Sequence, residues 1–257
     1  MTTITDTSKS SDLFSLTIRL ADSALIASQR MSQWCGIAPT LEEDIALTNV
    51  ALDLLGQARH LFSYAVDLDG CRKDEDQLAF LRDPHQYLNY TIAELPNGDF
   101  AQSCTKSFLF STFSQCLWVS LLDGEDSTLR DIAAKSLKET DYHIEHFSRW
   151  FVRLGDGTDV SRQKILKSID YLWPYTAEFF GNDRTLSNLE GLLHINTGKL
   201  QADWVNAIED VFTEAGIDLP SDSDFMSTGK YGVHSEHLGH ILAEMQYLQR
   251  SYPGGRW

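Results

Sequence analysis

Basic residues are scarce in this chain: 21 lysines and arginines face 37 aspartates and glutamates, a formal charge of −16. Phosphate backbones and anionic headgroups repel such a polyanion, which argues against nucleic acid and membrane surfaces as partners. Long apolar runs are missing too. The densest, "CLWVSLL" at 116–122, falls far short of the roughly 20 residues a membrane helix needs. The start "MTTITDTSKSSD" has neither a basic nor an apolar region of the secretory kind. Residues 1–11 are accordingly expected to be a disordered lead-in. Four cysteines, at 35, 71, 104 and 116, include no C-x-x-C pair. A chain of this length needs no staples, so all four read as free, buried thiols in a reducing, cytoplasmic setting.

Motifs of several enzyme classes are absent as well. There is no G-x-S-x-G elbow, no Walker loop and no G-x-G-x-x-G; the "GDG" at 155–157 reads as a helix-ending turn. Cys35, at a helix end, reads as a packing residue rather than a nucleophile. Strand-like alternation is not sustained anywhere.

What the sequence does hold is helical periodicity. Leu13, Leu16, Leu20, Ala24, Ala27 and Met31 recur at spacings of three and four and predict a helix over 12–35. Thr40 followed by Glu43 is a capping box opening a helix from about 41 to 68, with Leu41, Ile45, Leu52, Leu55 and Leu61 in its pattern. A short helical piece is expected around 84–94, ended by the Pro-Asn-Gly of "ELPNGD". Long helices follow at 100–122 and about 126–154, then further ones near 158–180, 196–215 and 232–250. The pattern predicts an all-α, ferritin-like four-helix bundle with additional C-terminal helices, residues 12–257 forming one domain.

Such bundles hold a di-iron site with a fixed inventory: one Glu from each of two helices and Glu-x-x-His from the other two. The stretch "KETDYHIEH" at 138–146 invites the comparison, since Glu139, Tyr142, His143 and His146 recur at i, i+3, i+4 and i+7. Yet the residues three before the eight histidines are Gln57, Arg82, Thr140, His143, Gly191, Tyr231, His234 and His237, none of them acidic. The 100–122 helix contains no Asp or Glu. Tyr142 stands at i+3 from Glu139 and Gly56 at i+3 from Asp53, where ligand histidines belong. Asp53, Glu139, Tyr142 and His143 therefore read as the polar remnant of a degenerate di-iron site, hydrogen-bonded because buried polar groups must be. The competing reading is a divergent metal-binding oxygenase using Glu139, His143 and the histidines 234, 237 and 240. Those three are expected on one side of the last helix, where three imidazoles suit zinc.

Six segments carry a family resemblance: "SQRMSQWCGIAPTLEEDIALTNVALDLLGQAR" (28–59), "DEDQLAFLRD" (74–83), "ELPNGDFA" (94–101), "KETDYH" (138–143), "LGDGTDVS" (154–161) and "HSEHLGHILAEMQYLQR" (234–250). Together they resemble the C components of the bacterial 1,2-phenylacetyl-CoA epoxidase. The likeness runs from about residue 12 to the C-terminus and is weakest over the first eleven residues and roughly 181–226. It implies a ferritin-like, structural and non-catalytic chain paired with a homologous A component that carries di-iron and most of the acyl-CoA. It further implies small accessory subunits and a reductase with NADPH, FAD and Fe–S, with no cofactor in this chain. The resemblance places Gln86, Tyr87, Leu88 and Asn89 near the acyl-CoA. The histidine-rich "YHIEHF" after Glu139 departs from the family pattern.

Overall fold

The computed structural model describes residues 3–69, 73–221 and 223–255. Among these, twelve α-helices and three short 3-10 helices account for the regular structure, with one antiparallel bridge between Thr228 and Val233. In chain order they are α1 (Thr3–Ser32), α2 (Leu41–Asp69), α3 (Glu75–Phe80), α4 (Thr91–Glu94), α5 (Phe100–Leu121) and α6 (Ser127–Gly155). Then come α7 (Asp159–Leu172), α8 (Ala177–Phe180), α9 (Arg184–Leu193), α10 (Thr197–Glu214), α11 (Glu236–Met245) and α12 (Tyr247–Ser251). No helix of the described residues is long and apolar enough to cross a membrane. The chain divides into two compact units, 1–96 with 228–257, and 97–227.

The first unit is built on the α1–α2 hairpin. α1 starts at Thr3 and so takes in most of the stretch expected to be a disordered lead-in; a helix already formed extends at little cost, one hydrogen bond per residue fixed. Gly36, at φ +83°, makes the turn, and its N–H donates to both carboxylate oxygens of Asp44 at 3.0 Å. The predicted cap forms: Glu43 N donates to Thr40 Oγ1 at 3.3 Å. α1 buries Leu13, Leu16, Leu20, Ala24 and Met31 as its spacing predicts. α2 differs. Of its predicted apolar set only Leu61 is buried, whereas Leu41, Ile45, Leu52 and Leu55 are exposed. The helix carries two apolar stripes, and the buried one (Leu47, Val50, Ala51, Leu54, Ala58, Leu61, Ala65) is rich in alanine. Small side chains let two helix backbones approach closely, so packing against α1 selects this stripe over the bulkier one.

Beyond α2 the path is irregular. The helix expected at 84–94 is instead a 3-10 turn at Pro84–Gln86, extended backbone over 87–90, and the single turn of α4. The reason is local. Leu88 N donates to Asp22 Oδ2 at 2.8 Å and Tyr90 N to Ser23 Oγ at 3.2 Å, so side chains of α1 take the amides a helix would have used. α3 has Asp74 and Gln77 as a reciprocal capping box. The "CRK" of the loop before it lies largely outside the described residues, and so does Cys71. Of the other cysteines Cys104 is buried, Cys116 half-buried and Cys35 exposed, so the expectation of uniform burial fails at the α1–α2 turn.

In the second unit α5 and α6 form another hairpin, capped by Asp99 and Asp126, whose side chains accept from Gln102 N and Leu129 N. α5 is buried continuously from Ser103 to Phe113. α6 is amphipathic, with Leu129, Ala133, Ser136, Thr140, His143, Phe147 and Phe151 on its buried stripe. The helix predicted over 158–180 stops at Leu172, because Pro174 leads into a 3-10 turn before α8. α9 lies where no element was expected. Asp183 caps it, and Leu186, Leu189 and Leu193 are its buried face. Aromatic rings fill the interior: Phe113 stacks on Phe179 at 4.1 Å, and Phe151 lies 4.8 Å from Phe212.

Gly232 gives a direct test of how the first unit closes. Its φ is +81°, and a Cβ there would collide with the main-chain oxygen of His85. Gly232→Ala is expected to destabilise the fold by more than about 1 kcal/mol, read as a lower midpoint in thermal unfolding.

Candidate functional site

The residues marked from the sequence fall in both units. Glu139, Tyr142 and His143 lie on α6. His143 joins the buried stripe, Glu139 is half-buried, and Tyr142 is exposed with its ring 6.1 Å from that of His146. Residues at i+3 and i+4 bracket a stripe rather than share one environment. Asp53 is half-buried on α2, in the first unit. His234 is not helical: it precedes Ser235, the N-cap of α11, while His237 and His240 lie within α11. The set expected on one helical side is therefore divided.

These residues do not suit a di-iron site. α5 buries Ser, Cys, Thr, Lys and Phe side chains where a carboxylate is required, and the ammonium of Lys106 donates to Asn97 Oδ1 at 3.1 Å. A buried cation repels a metal ion rather than binding it. Among the described residues no three His, Cys, Asp or Glu gather as a metal site.

The densest polar arrangement lies in the first unit and includes the quartet 86–89. Arg82 Nη1 donates to Asp22 Oδ2 at 3.0 Å and Nη2 donates to Asp22 Oδ1, both side chains being buried. Arg82 also donates to Leu78 O (2.6 Å) and Gln86 O (2.7 Å), and its guanidinium lies 4.2 Å from the centre of the Tyr87 ring. Burial works against the guanidinium charge, but Asp22 outweighs it and holds the Arg82 pKa above its ordinary value. Burial also pushes the Asp22 carboxyl up, with Arg82 opposing. Only donors face that carboxyl in these bonds, so the geometry is that of an ion pair.

Tyr87 is wholly buried. Its hydroxyl donates to Ala79 O at 2.6 Å and accepts from Gln246 Nε2 at 2.8 Å. Burial pushes the phenol up to about 12, with Arg82 opposing, so it remains a donor. Gln246 Nε2 also donates to Arg82 O at 2.8 Å, and Arg250 Nη2 to the same oxygen at 2.9 Å, which ties the end of the chain to this loop. Asn89 is buried, with Nδ2 donating to Glu94 Oε2 at 2.9 Å. Gln86 is the member of the quartet whose side chain is exposed; its Oε1 accepts from Asp83 N at 2.8 Å. Tyr87 and Asn89 thus turn their polar side-chain groups inward.

Glu94 and His234 complete the network and were not singled out as a pair from the sequence. The Glu94 carboxylate, fully buried, accepts from Ser235 N (2.6 Å), Asn89 Nδ2 and the His234 ring. His234 Nδ1 is 2.8 Å from Glu94 Oε2, and Nε2 is 2.8 Å from Tyr87 O. A main-chain carbonyl can only accept, and so can a carboxylate, so both ring nitrogens carry hydrogen and the ring is an imidazolium. Burial opposes that charge, but the hydrogen bond and charge of Glu94 outweigh it and raise the pKa above the ordinary histidine value. A histidine among three in one segment was the visible signal; its partner 140 residues away was not.

Two measurements follow from this geometry. Asp22→Asn keeps the shape but strands a buried guanidinium, at a cost of about 3–5 kcal/mol in urea unfolding. An unchanged midpoint would contradict the pairing. For His234 the folded chain holds a proton more tightly than the unfolded chain. The pair's stability is therefore complete just below about pH 6.5 and is lost as pH rises through the raised folded value. Against a His234→Asn control, the parent chain should lose its stability advantage over that window; parallel pH profiles would refute the assignment.

A family model described as "Phenylacetic acid catabolic protein" matches residues 1–257. The chain is 43% identical over 246 residues to the protein of Escherichia coli (strain K12) named as the C component of 1,2-phenylacetyl-CoA epoxidase. That match covers 95% of this chain and 99% of the relative. All-helical architecture and near-complete coverage agree, and the chain belongs to the phenylacetic acid catabolic protein family.

Proposed function

We propose that this chain is the structural, non-catalytic subunit of a multicomponent oxygenase that epoxidises the aromatic ring of phenylacetyl-CoA in aerobic phenylacetate breakdown. The observation that carries the reading is 43% identity across nearly the full length of both chains to a protein named as the C component of that epoxidase. The acid-free α5 and the absence of any acid-x-x-His support it, because neither hairpin has the ligands an iron pair requires. In this proposal residues 12–257 form one ferritin-like domain, and Asp53, Glu139, Tyr142 and His143 are remnants of a lost site. The partner is a homologous chain that carries di-iron and most of the acyl-CoA. Small accessory subunits and a reductase using NADPH, FAD and Fe–S complete a cytoplasmic system. Within the quartet 86–89, contact with the acyl-CoA falls to Gln86, while Tyr87 and Asn89 hold the segment's shape.

The exposed stripe of α2 is the surface we assign to the partner. At about 3.6 residues per turn, Leu41, Ile45, Leu52 and Leu55 lie within an arc of roughly 80°. Leu41 is 72% and Leu52 59% exposed. Permanent hetero-complexes commonly bury more than about 2,000 Å² with an apolar centre, and a four-residue stripe on a 29-residue helix suits that centre.

Co-expression with the di-iron partner tests both statements. Phenylacetyl-CoA-dependent NADPH oxidation, with the reductase added, is expected only when both chains are present. Leu52→Lys with Leu55→Lys should abolish co-purification and activity while leaving the thermal midpoint of this chain unchanged. Full turnover by the partner alone, or two irons bound per copy of this chain, would overturn the proposal.

A further inference from the structure

The second unit holds a cavity of about 300 Å³ lined by Trp173, Phe180, Trp204 and Met226, with Gln201 and Ser223 among its polar lining. Both indole N–H groups are engaged elsewhere: Trp173 Nε1 donates to Ser221 O at 3.1 Å and Trp204 Nε1 to Leu109 O at 3.2 Å. The two indoles therefore offer the cavity π surface rather than hydrogen bonds. Their rings pack on one another, with centroids 5.8 Å apart for Trp173–Trp204 and 5.3 Å for Phe180–Trp204. An occupant must stack from one side rather than slip between them. Met226 supplies a thioether wall. Gly181 allows this, since a Cβ there would lie 3.0 Å from Met226 Sδ.

The polar lining is equally specific. Gln201 is exposed, and its amide makes no hydrogen bond to any described residue, leaving a donor and an acceptor side by side. Ser223 Oγ accepts from Phe225 N at 3.1 Å, which leaves its hydroxyl proton to give. An amide edge beside an aromatic wall is how proteins read a purine: Gln pairs bidentately with the N6 and N7 edge of adenine while the ring stacks. About 300 Å³ is at the small end for ligand pockets, which fits one bicyclic ring and not a large ligand.

We propose that this cavity is a binding site for a purine ring, stacked on Trp173 and Phe180 and read at its edge by Gln201. The test uses the full chain with adenosine, and with 2-phenylethanol as a flat ring lacking the hydrogen-bonding edge. Carbon-13 methyl spectra report on Met226, and the indole fluorescence lost in Trp173→Leu isolates the Trp173 signal among the six tryptophans. Adenosine should shift the Met226 methyl saturably, quench the fluorescence and bind more tightly than 2-phenylethanol. Gln201→Leu, at an exposed position that circular dichroism can check for folding, should weaken adenosine by about tenfold or more and leave 2-phenylethanol unchanged. Trp173→Leu should weaken both. The site is refuted if millimolar adenosine leaves Met226 unmoved, if the two ligands bind alike, or if Gln201→Leu binds adenosine as the parent does.

Discussion

A single buried ion pair, Asp22 with Arg82, organises the first unit. Removing both charges from water is costly, and the cost is offset only where every remaining lone pair and proton finds a partner. Here that demand dictates the chain's path. Arg82 gathers Leu78 O, Gln86 O and both oxygens of Asp22, and Asp22 draws in the Leu88 amide. The backbone from 82 to 90 is therefore laid along α1 and cannot coil into a helix of its own. Its course then sets Tyr87, Asn89 and Glu94 where Gln246 and His234 reach them.

The long helices were legible because periodic leucines and punctuating Gly, Pro and Asp are local signals, and Thr40 caps α2 as its position suggests. Which of two apolar stripes turns inward was not. Leu41, Ile45, Leu52 and Leu55 look like core by residue type, but alanine-rich Leu47–Val50–Ala51–Leu54–Ala58 fits the neighbouring helix better. Residues 84–94 deceived for a related reason, since their amides answer to side chains 66 and 67 positions earlier. α9 was legible in principle: Asp183 before leucines at 186, 189 and 193 is an N-cap before an apolar stripe. Of the candidate site, the missing metal inventory was readable, because Glu-x-x-His is a spacing within one helix. The Glu94–His234 pair was not, because nothing in either neighbourhood names the other.

The chemistry of the first unit is that of a brace. Within it Asp22, Arg82, Glu94 and His234 face one another and main-chain groups. A catalytic group needs an uncommitted lone pair or proton within reach of substrate. In the first unit these polar groups are instead committed to fixed internal connections.

The first unit is not continuous in sequence. Its helices α1 to α4 come from residues 1–96, but the segment bearing His234, Gln246 and Arg250 begins at 228, after the whole of the second unit. On a ribosome adding some 5–20 residues per second, the intervening stretch takes on the order of ten seconds to make. Throughout that interval Glu94 has no imidazolium and the Arg82 carbonyl lacks two of its donors. The contiguous unit 97–227 has all its parts first and can settle before its elder neighbour. The nascent α1–α2 hairpin meanwhile waits half-finished, its alanine seam closed and its polar centre open, a natural client for whatever chaperone meets it at the tunnel exit.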